Sequence, residues 1–283
     1  MATENLLAGS SRMIRRRTDM ASLAGLAIVG AWILVALLAP LLAPHGQADL
    51  VGDSAFGPMS ADTLLGTDSL GRDVFSRLLY GARLTLGLAA VTTFFAFVGG
   101  VLLGGIAGLF RGLLDTLLSR AVDALLAFPA VMLALIVITG LGTSLPVLVG
   151  TVALIEGTRV FRLSRALTME ISVTEFVEAA RLQGEGTLWI VWKEILPNIL
   201  QPLVADLGLR FTYSILFISA LSFLGLGVQP PQADWGGMVR ENMSGLLAGS
   251  LAPMAPAAAI ASITIGVTLT LDSLVRKRDL GPA

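Results

Sequence analysis

The sequence predicts an all-α membrane protein with about six transmembrane helices. Composition is the first reason: of 283 residues, 55% are hydrophobic and only 14% charged, giving a mean hydropathy of +0.82, beyond the range of a soluble domain. The second is that several windows reach the roughly 20 apolar residues a helix needs to cross the hydrocarbon core. The third is the placing of the basic clusters Arg12, Arg15, Arg16 and Arg17, then Arg159, Arg162 and Arg165, then Arg276, Lys277 and Arg278. They flank the apolar runs in the pattern that marks cytoplasmic ends. A net charge of -1 supplies no general basic field for nucleic acid, and the lack of cysteine excludes disulfides, thiolate metal sites and cysteine nucleophiles.

The elements follow in order. A cytoplasmic tail, 1–20, precedes a first span over 21–42 that contains Trp32. Its apolar run exceeds the 7–15 residues of a signal-peptide core, and further spans follow, which favours an uncleaved signal-anchor helix over a cleaved leader. Residues 43–83 read as an external loop rich in Gly and Pro, with a short amphipathic helix around Val74, Leu78 and Leu79. The five further spans lie in a core over 84–275, and the second, 84–110, places Gly100 and Gly104 at small-xxx-small spacing, which permits close helix approach. Arg111 and Asp115 mark a short cytoplasmic turn. The third and fourth spans, 122–141 and 144–161, are joined by Gly142 and Thr143 as an αα-hairpin. A charge-rich cytoplasmic segment, 167–198, leads to a fifth span over 199–226. A second external loop with Pro230, Pro231 and Trp235 precedes the sixth span, 251–271, and a cytoplasmic tail, 276–283. Arg72, Arg77 and Arg83 are the exception to the charge pattern, since they fall in the first external loop.

Catalytic chemistry has little support. The two lysines, Lys193 and Lys277, do not follow glycine, so no phosphate-cradling G-x-x-x-x-G-K-[ST] loop exists, and His45 is the sole histidine. Asp115, Asp123 and Asp272 lie near the cytoplasmic interface, where a structural role is favoured. Asp206 falls inside the fifth span, where charge is costly, and is open between an interhelical contact and a transport path.

Within the cytoplasmic segment, Ser172 and Glu175 have capping-box spacing, and Glu178, Ala179 and Ala180 lead to Gly184 and Gly186. A second amphipathic piece over 188–195 carries Trp189 and Trp192 and is expected to stop at Pro197. Small alanines on a short helix suit docking into a partner's groove. Glu178-Ala179-Ala180, Gly184 and Leu196-Pro197 resemble the EAA loop of ABC importer permeases. Leu65-Gly66-Thr67-Asp68, Gly71-Arg72-Asp73, Ser76-Arg77, Asp123 with Phe128-Pro129, the run Leu221 to Gly227, Pro230-Pro231 and Trp235-Gly236 narrow the likeness to the dipeptide, oligopeptide and nickel branch, second or C-type subunit. The segment departs from the usual pattern at Gln183, Glu185, Gly186 and Glu194.

The resemblance implies a type I ABC importer permease fold with a cytoplasmic coupling helix, and a non-catalytic subunit of an ATP-driven transporter in the bacterial plasma (inner) membrane with both termini cytoplasmic. It implies a homologous second permease, two ATP-binding cassette ATPase subunits that hold ATP and Mg, and an external substrate-binding protein. No cofactor and no metal are expected on this chain. Glu178, Ala179, Ala180, Gly184, Leu196 and Pro197 are then the ATPase-coupling residues: Glu178 the polar contact, the alanines the packing surface, Gly184 the turn and Pro197 the stop. Asp206, Phe223 and Leu224 are candidates for the translocation pathway or gate. An alternative is an ion-gradient-driven secondary transporter, which predicts broken helices and ionisable residues at mid-membrane; another is a structural scaffold. Dependence on a separate ATPase separates the first reading from both.

Overall fold

The computed structural model describes residues 2–52 and 54–279, with side chains over 20–273 apart from 53 and 248. The basic side chains at 12–17 and 276–278 therefore lie outside the described residues. Among the described residues ten α-helices are present: α1 (Ala2–Leu42), α2 (Val74–Phe110), α3 (Leu113–Leu126), α4 (Ala130–Leu141), α5 (Leu145–Ile171), α6 (Glu175–Leu182), α7 (Thr187–Ile190), α8 (Leu196–Phe223), α9 (Trp235–Glu241) and α10 (Met254–Asp279). A π-helical turn, Val191–Ile195, joins α7 to α8, and a 3₁₀ turn, Met243–Ala248, follows α9. Among the described residues no β-strand forms beyond two isolated bridges, Leu50 with Arg72 and Thr67 with Asp73.

Among the described residues four helices are long and apolar enough to cross a membrane, over Met20–Leu42, Val74–Phe110, Thr187–Phe223 and Met254–Ser273, and a fifth is added if the bent pair α3 and α4 counts as one span. The third expected span is not straight. It breaks at Phe128-Pro129 with a 91° bend, because Pro129 lacks an N–H and biases the residue before it away from helix. The fourth expected span is α5, which is long enough but carries Glu156, Arg159 and Arg162 within its first 18 residues.

The chain divides into two compact units, 1–86 with 231–283, and 87–230. In the first, α1 packs along α10 through small residues: a Cβ on Gly25 would lie 2.7 Å from the Gly266 carbonyl oxygen, and Ser273 donates to Ser22 at 2.9 Å. Trp235, fully buried, donates from Nε1 to the Leu78 carbonyl and sits edge-on to Trp32 at 4.9 Å. The expected amphipathic surface helix is instead the buried beginning of α2, which runs unbroken from Val74. Asp73 caps it, accepting from the Ser76 backbone N–H at 2.9 Å and hydroxyl at 2.6 Å.

The arginines that broke the charge pattern belong to this unit. Arg72 and Arg77 are 4% and 1% exposed and converge on Asp68 and Glu241: Arg72 bonds Asp68 at 2.6 Å and Glu241 at 2.7 Å, while Arg77 reaches Glu241 at 3.1 Å. They are internal ion pairs rather than loop charges. Gly66 and Gly71, at φ +75 and +81, shape the loop beneath them.

In the second unit α2 and α5 meet almost backbone to backbone. Added Cβ atoms on Gly100, Gly104 and Gly108 would lie 2.8, 2.5 and 2.9 Å from the carbonyl oxygens of Gly157, Phe161 and Arg165. The small-xxx-small spacing read from Gly100 and Gly104 thus forms a real seam, extended by Gly108. Asp115 pairs with Arg165 through two hydrogen bonds, and Asp123 with Arg162 at 2.5 Å, so α3 is tied to α5 and both aspartates have the structural role expected of them.

Candidate functional site

The loop between α5 and α8 is built on one apolar cluster. Val177 and Ala180 of α6, Ile190 and Ile195 beyond it, and Ile199 and Leu203 of α8 are buried together; Phe97, Val101 and Leu109 of α2 and Leu163, Leu167 and Ile171 of α5 pack against them, with Leu196 partly buried at the edge. The 3.6-residue period explains which side of α6 turns inward. Val177 and Ala180 are three apart and share a face, leaving Glu178 and Ala179 exposed. The alanine pair is therefore split: Ala179 faces outward, while Ala180, only 6% exposed, is part of the cluster.

α6 ends in a Schellman motif. Glu185 N–H donates to the Ala180 carbonyl at 3.1 Å, Gly184 N–H to the Arg181 carbonyl at 3.0 Å, and Gly184 has φ +85. Gly184 is the turn, as expected. The capping box is not formed: Ser172 closes α5, its hydroxyl donating to Met169, and α6 begins after Thr174, whose side chain donates back to Ile171. Capping the end of a long preceding helix outcompetes a box at the start of a short one.

Pro197 does not stop a helix. It sits in the first turn of α8, and the π turn 191–195 just before it lets the chain continue. A proline cannot donate to the carbonyl four residues back and clashes with it; widening the preceding turn relieves both problems. Asn198 Nδ2 donates to the Glu194 carbonyl at 2.6 Å within this widened region. The outward side of the loop carries large apolar groups, including Leu182 (84% exposed), Leu188 (78%) and Trp192 (66%). Three such groups within 11 residues of sequence are unusual on a soluble monomer and suit a face that a partner covers.

The other predicted residues lie elsewhere. Phe223 is 27 residues beyond Leu196 on α8, about 40 Å along the helix, so the loop and the Phe223-Leu224 pair occupy opposite ends. Phe223 and Leu224 are 40% and 51% exposed. A second Schellman motif follows them: Leu226 N–H bonds the Leu221 carbonyl at 2.9 Å, Gly225 N–H bonds the Ser222 carbonyl at 3.0 Å, and Gly225 has φ +88. The Leu221 to Gly227 run is first of all a helix terminator.

Asp206 belongs to neither end. Arg210, on the same helix, lies 3.0 Å from Asp206 and donates to Glu156 of α5 at 2.8 Å; Glu156 also accepts from Arg159 at 2.7 Å. Asp206 is thus one member of a four-charge network. Glu156 and Arg210 escaped the sequence reading, yet each stands one helical turn from an opposite charge in an apolar run, Glu156 from Arg159 and Arg210 from Asp206, and that spacing was the signal. Among the described residues no group of carboxylate, histidine or cysteine side chains is arranged to hold a metal.

Residues 100–279 match the family described as binding-protein-dependent transport system inner membrane component. A dipeptide transport system permease protein of Alkalihalophilus pseudofirmus is 36% identical over 255 residues, covering 89% of this chain and 83% of that protein. A di/tripeptide transport system permease protein of Pseudomonas aeruginosa is 38% identical over 77% of this chain and 74% of its own length. A peptide transport system permease protein of Escherichia coli is 37% identical, covering 90% and 86%. Among solved structures, the inward-facing MetNI methionine ABC transporter superposes with a TM-score of 0.58 at 20% identity, over 74% of this chain and 98% of that one. An amino acid ABC transporter gives 0.53 at 15% identity, over 73% and 94%. At those identities the structural likeness speaks to the fold.

Proposed function

This chain belongs to the family of binding-protein-dependent transport system inner membrane components, and from that premise we propose that it forms half of the path by which an ABC importer carries peptides or similar small solutes. As a member of that family it is a multi-pass, non-catalytic permease subunit that works with ATPase and substrate-binding partners. The family gives no support to an ion-gradient-driven secondary transporter. In our reading a homologous permease completes the path, two ATPase subunits hold ATP and Mg, and the membrane is the bacterial inner membrane with both termini in the cytoplasm. Peptide cargo is suggested by the names of the relatives at 36–38% identity.

The observation that carries the mechanism is the way α6 is held: its inner face is fixed to α2, α5 and α8, while Glu178 and Ala179 face outward. Nucleotide binding draws the ATPases together, α6 rides with the ATPase groove, and the cluster beneath passes the displacement into the spans. Glu178 supplies a polar contact in the groove, Ala179 permits close approach, and Gly184 sets the angle of the following segment. Leu196 and Pro197 join that segment to α8. In this reading Phe223 and Leu224, at the far end of α8, serve as pathway or outer-gate residues.

The test is ATPase activity in lipid after co-expression with the neighbouring genes, comparing wild type with Glu178→Ala and Gly184→Trp. Co-purification of an ATPase and a second permease, with stimulation by binding protein lost in both variants, is the expected result. A chain that purifies alone and moves solute on an ion gradient without ATP overturns the proposal.

A further inference from the structure

The four-charge network sits at the middle of its helices. Glu156 is 11 residues from the start of α5 and 15 from its end, and Arg210 is 14 from the start of α8 and 13 from its end, about 16–23 Å from any terminus. The signs alternate: Arg159, Glu156, Arg210, Asp206. Glu156 and Arg210 are buried, at 2% and 9% exposure. Arg159 is not; its side chain is 42% exposed, and Tyr213, 46% exposed, lies beside it. Both guanidinium groups approach the Tyr213 ring, Arg159 at 5.7 Å and Arg210 at 5.1 Å from its centroid. One oxygen of Asp206, Oδ2, is buried without a hydrogen-bond partner.

A purely structural clamp between α5 and α8 needs only the buried pair. It does not account for an arginine and a tyrosine held at the surface beside it: Arg159, grouped by sequence with Arg162 and Arg165 at a cytoplasmic end, lies 12 residues before the end of α5, and an exposed guanidinium facing lipid there is costly. Such a face must meet water or protein. Resting on the importer reading above, we propose that the α5–α8 face bearing Arg159 and Tyr213 lines the water-filled translocation path and forms a transient site for the carboxylate of a small zwitterionic solute. Arg159 is the recognising group: it is anchored to Glu156 and keeps its fork at the surface, the geometry that suits a carboxylate. Glu156 and Asp206 balance the two arginines, so the site is weak by construction, and a solute can leave it as readily as it enters.

The chain has no cysteine, so one introduced thiol reports on one position. In the purified complex with its ATPase and partner permease, Tyr213→Cys is treated with an anionic sulfonatoethyl and a cationic trimethylammonioethyl methanethiosulfonate. Both are membrane-impermeant. In water one guanidinium about 5 Å away separates the two reagents by about 16-fold, and Glu156 and Asp206 cancel much of this, so a preference of about fourfold for the anionic reagent is expected; Arg159→Gln in the same background should erase or reverse it. Equal rates with the two reagents overturn the carboxylate site. No reaction in an assembled complex overturns the aqueous face and leaves a dry protein contact instead. Leu209→Cys, one turn earlier on α8 and 41% exposed, gives the same accessibility reading if Tyr213→Cys does not assemble. Failure of the importer reading itself would appear separately, as absence of a co-purifying ATPase.

Discussion

A methyl group at position 227 would lie 1.8 Å from the Ser222 hydroxyl oxygen and 2.5 Å from its Cα. The close approach lets Val228 N–H reach that hydroxyl at 3.3 Å and seals the end of α8. Gly227→Ala is therefore expected to cost at least the 1–3 kcal/mol typical of overpacking, about a few degrees in the melting temperature of the detergent-solubilised chain. Gly184 is the contrasting case: nothing lies within 4 Å of an added Cβ, so only its φ of +85 resists substitution. Gly184→Ala should cost about 1 kcal/mol and leave the complex assembled, with any larger defect appearing in coupled transport. In the ion-pair group, Asp68→Ala leaves Arg72 and Arg77, both nearly inaccessible, with Glu241 as their shared carboxylate. A loss of about 3 kcal/mol is expected, again read by melting; a loss within 0.5 kcal/mol would mean that Glu241 balances both.

At the scale of elements, the π turn is the feature with the sharpest test. It places one more residue in the turn than an α-helix does, rotating everything before it by about 100° relative to α8. Pro197→Ala restores the missing N–H and removes the clash that favours the wide turn. The expected outcome is little change in melting temperature, with coupled transport per ATP hydrolysed reduced severalfold as α6 and α7 turn relative to the spans. An unchanged ratio would show that the widened turn is independent of the proline. The sequence was legible where a single local rule decided the outcome: the spans α1, α8 and α10 to within a few residues at most ends, Gly184 as a turn, and Gly100 with Gly104 as a seam. It was not legible where two rules competed. Pro197 reads as a stop because proline usually ends helices, and nothing local announces that the preceding turn will widen. Ser172 reads as a cap, but the same hydroxyl serves the helix before it. The start of α2 reads as a surface helix because Arg72 and Arg77 look solvated until their partner Glu241, some 164 to 169 residues later, is brought beside them.

For the whole molecule the open question is orientation, and the cysteine-free background makes it answerable. Met59, 60% exposed, and Leu182, 84% exposed, lie in segments assigned to opposite sides of the membrane. Met59→Cys should react with an impermeant maleimide in spheroplasts, and Leu182→Cys only in inverted vesicles; the reverse pattern would invert the topology and detach α6 from any cytoplasmic ATPase. Arg72 and Arg77 drop out of the charge count as internally paired, which sequence position alone did not allow, and leave Arg83 as the exposed exception in that segment.

The seam between α2 and α5 has a mechanical consequence. Where Gly100, Gly104 and Gly108 lie against the backbone of the neighbouring helix, there are no long side chains to switch rotamer, and hence no soft layer in which one helix can slip over the other. The pair behaves as a single stiff beam. Because the cluster under α6 is anchored to both members of that beam through Phe97, Val101, Leu163 and Leu167, the coupling role proposed for α6 would pass its displacement into a stiff pair with little slip. On that reading the flexing of the transport stroke belongs to other joints of the subunit.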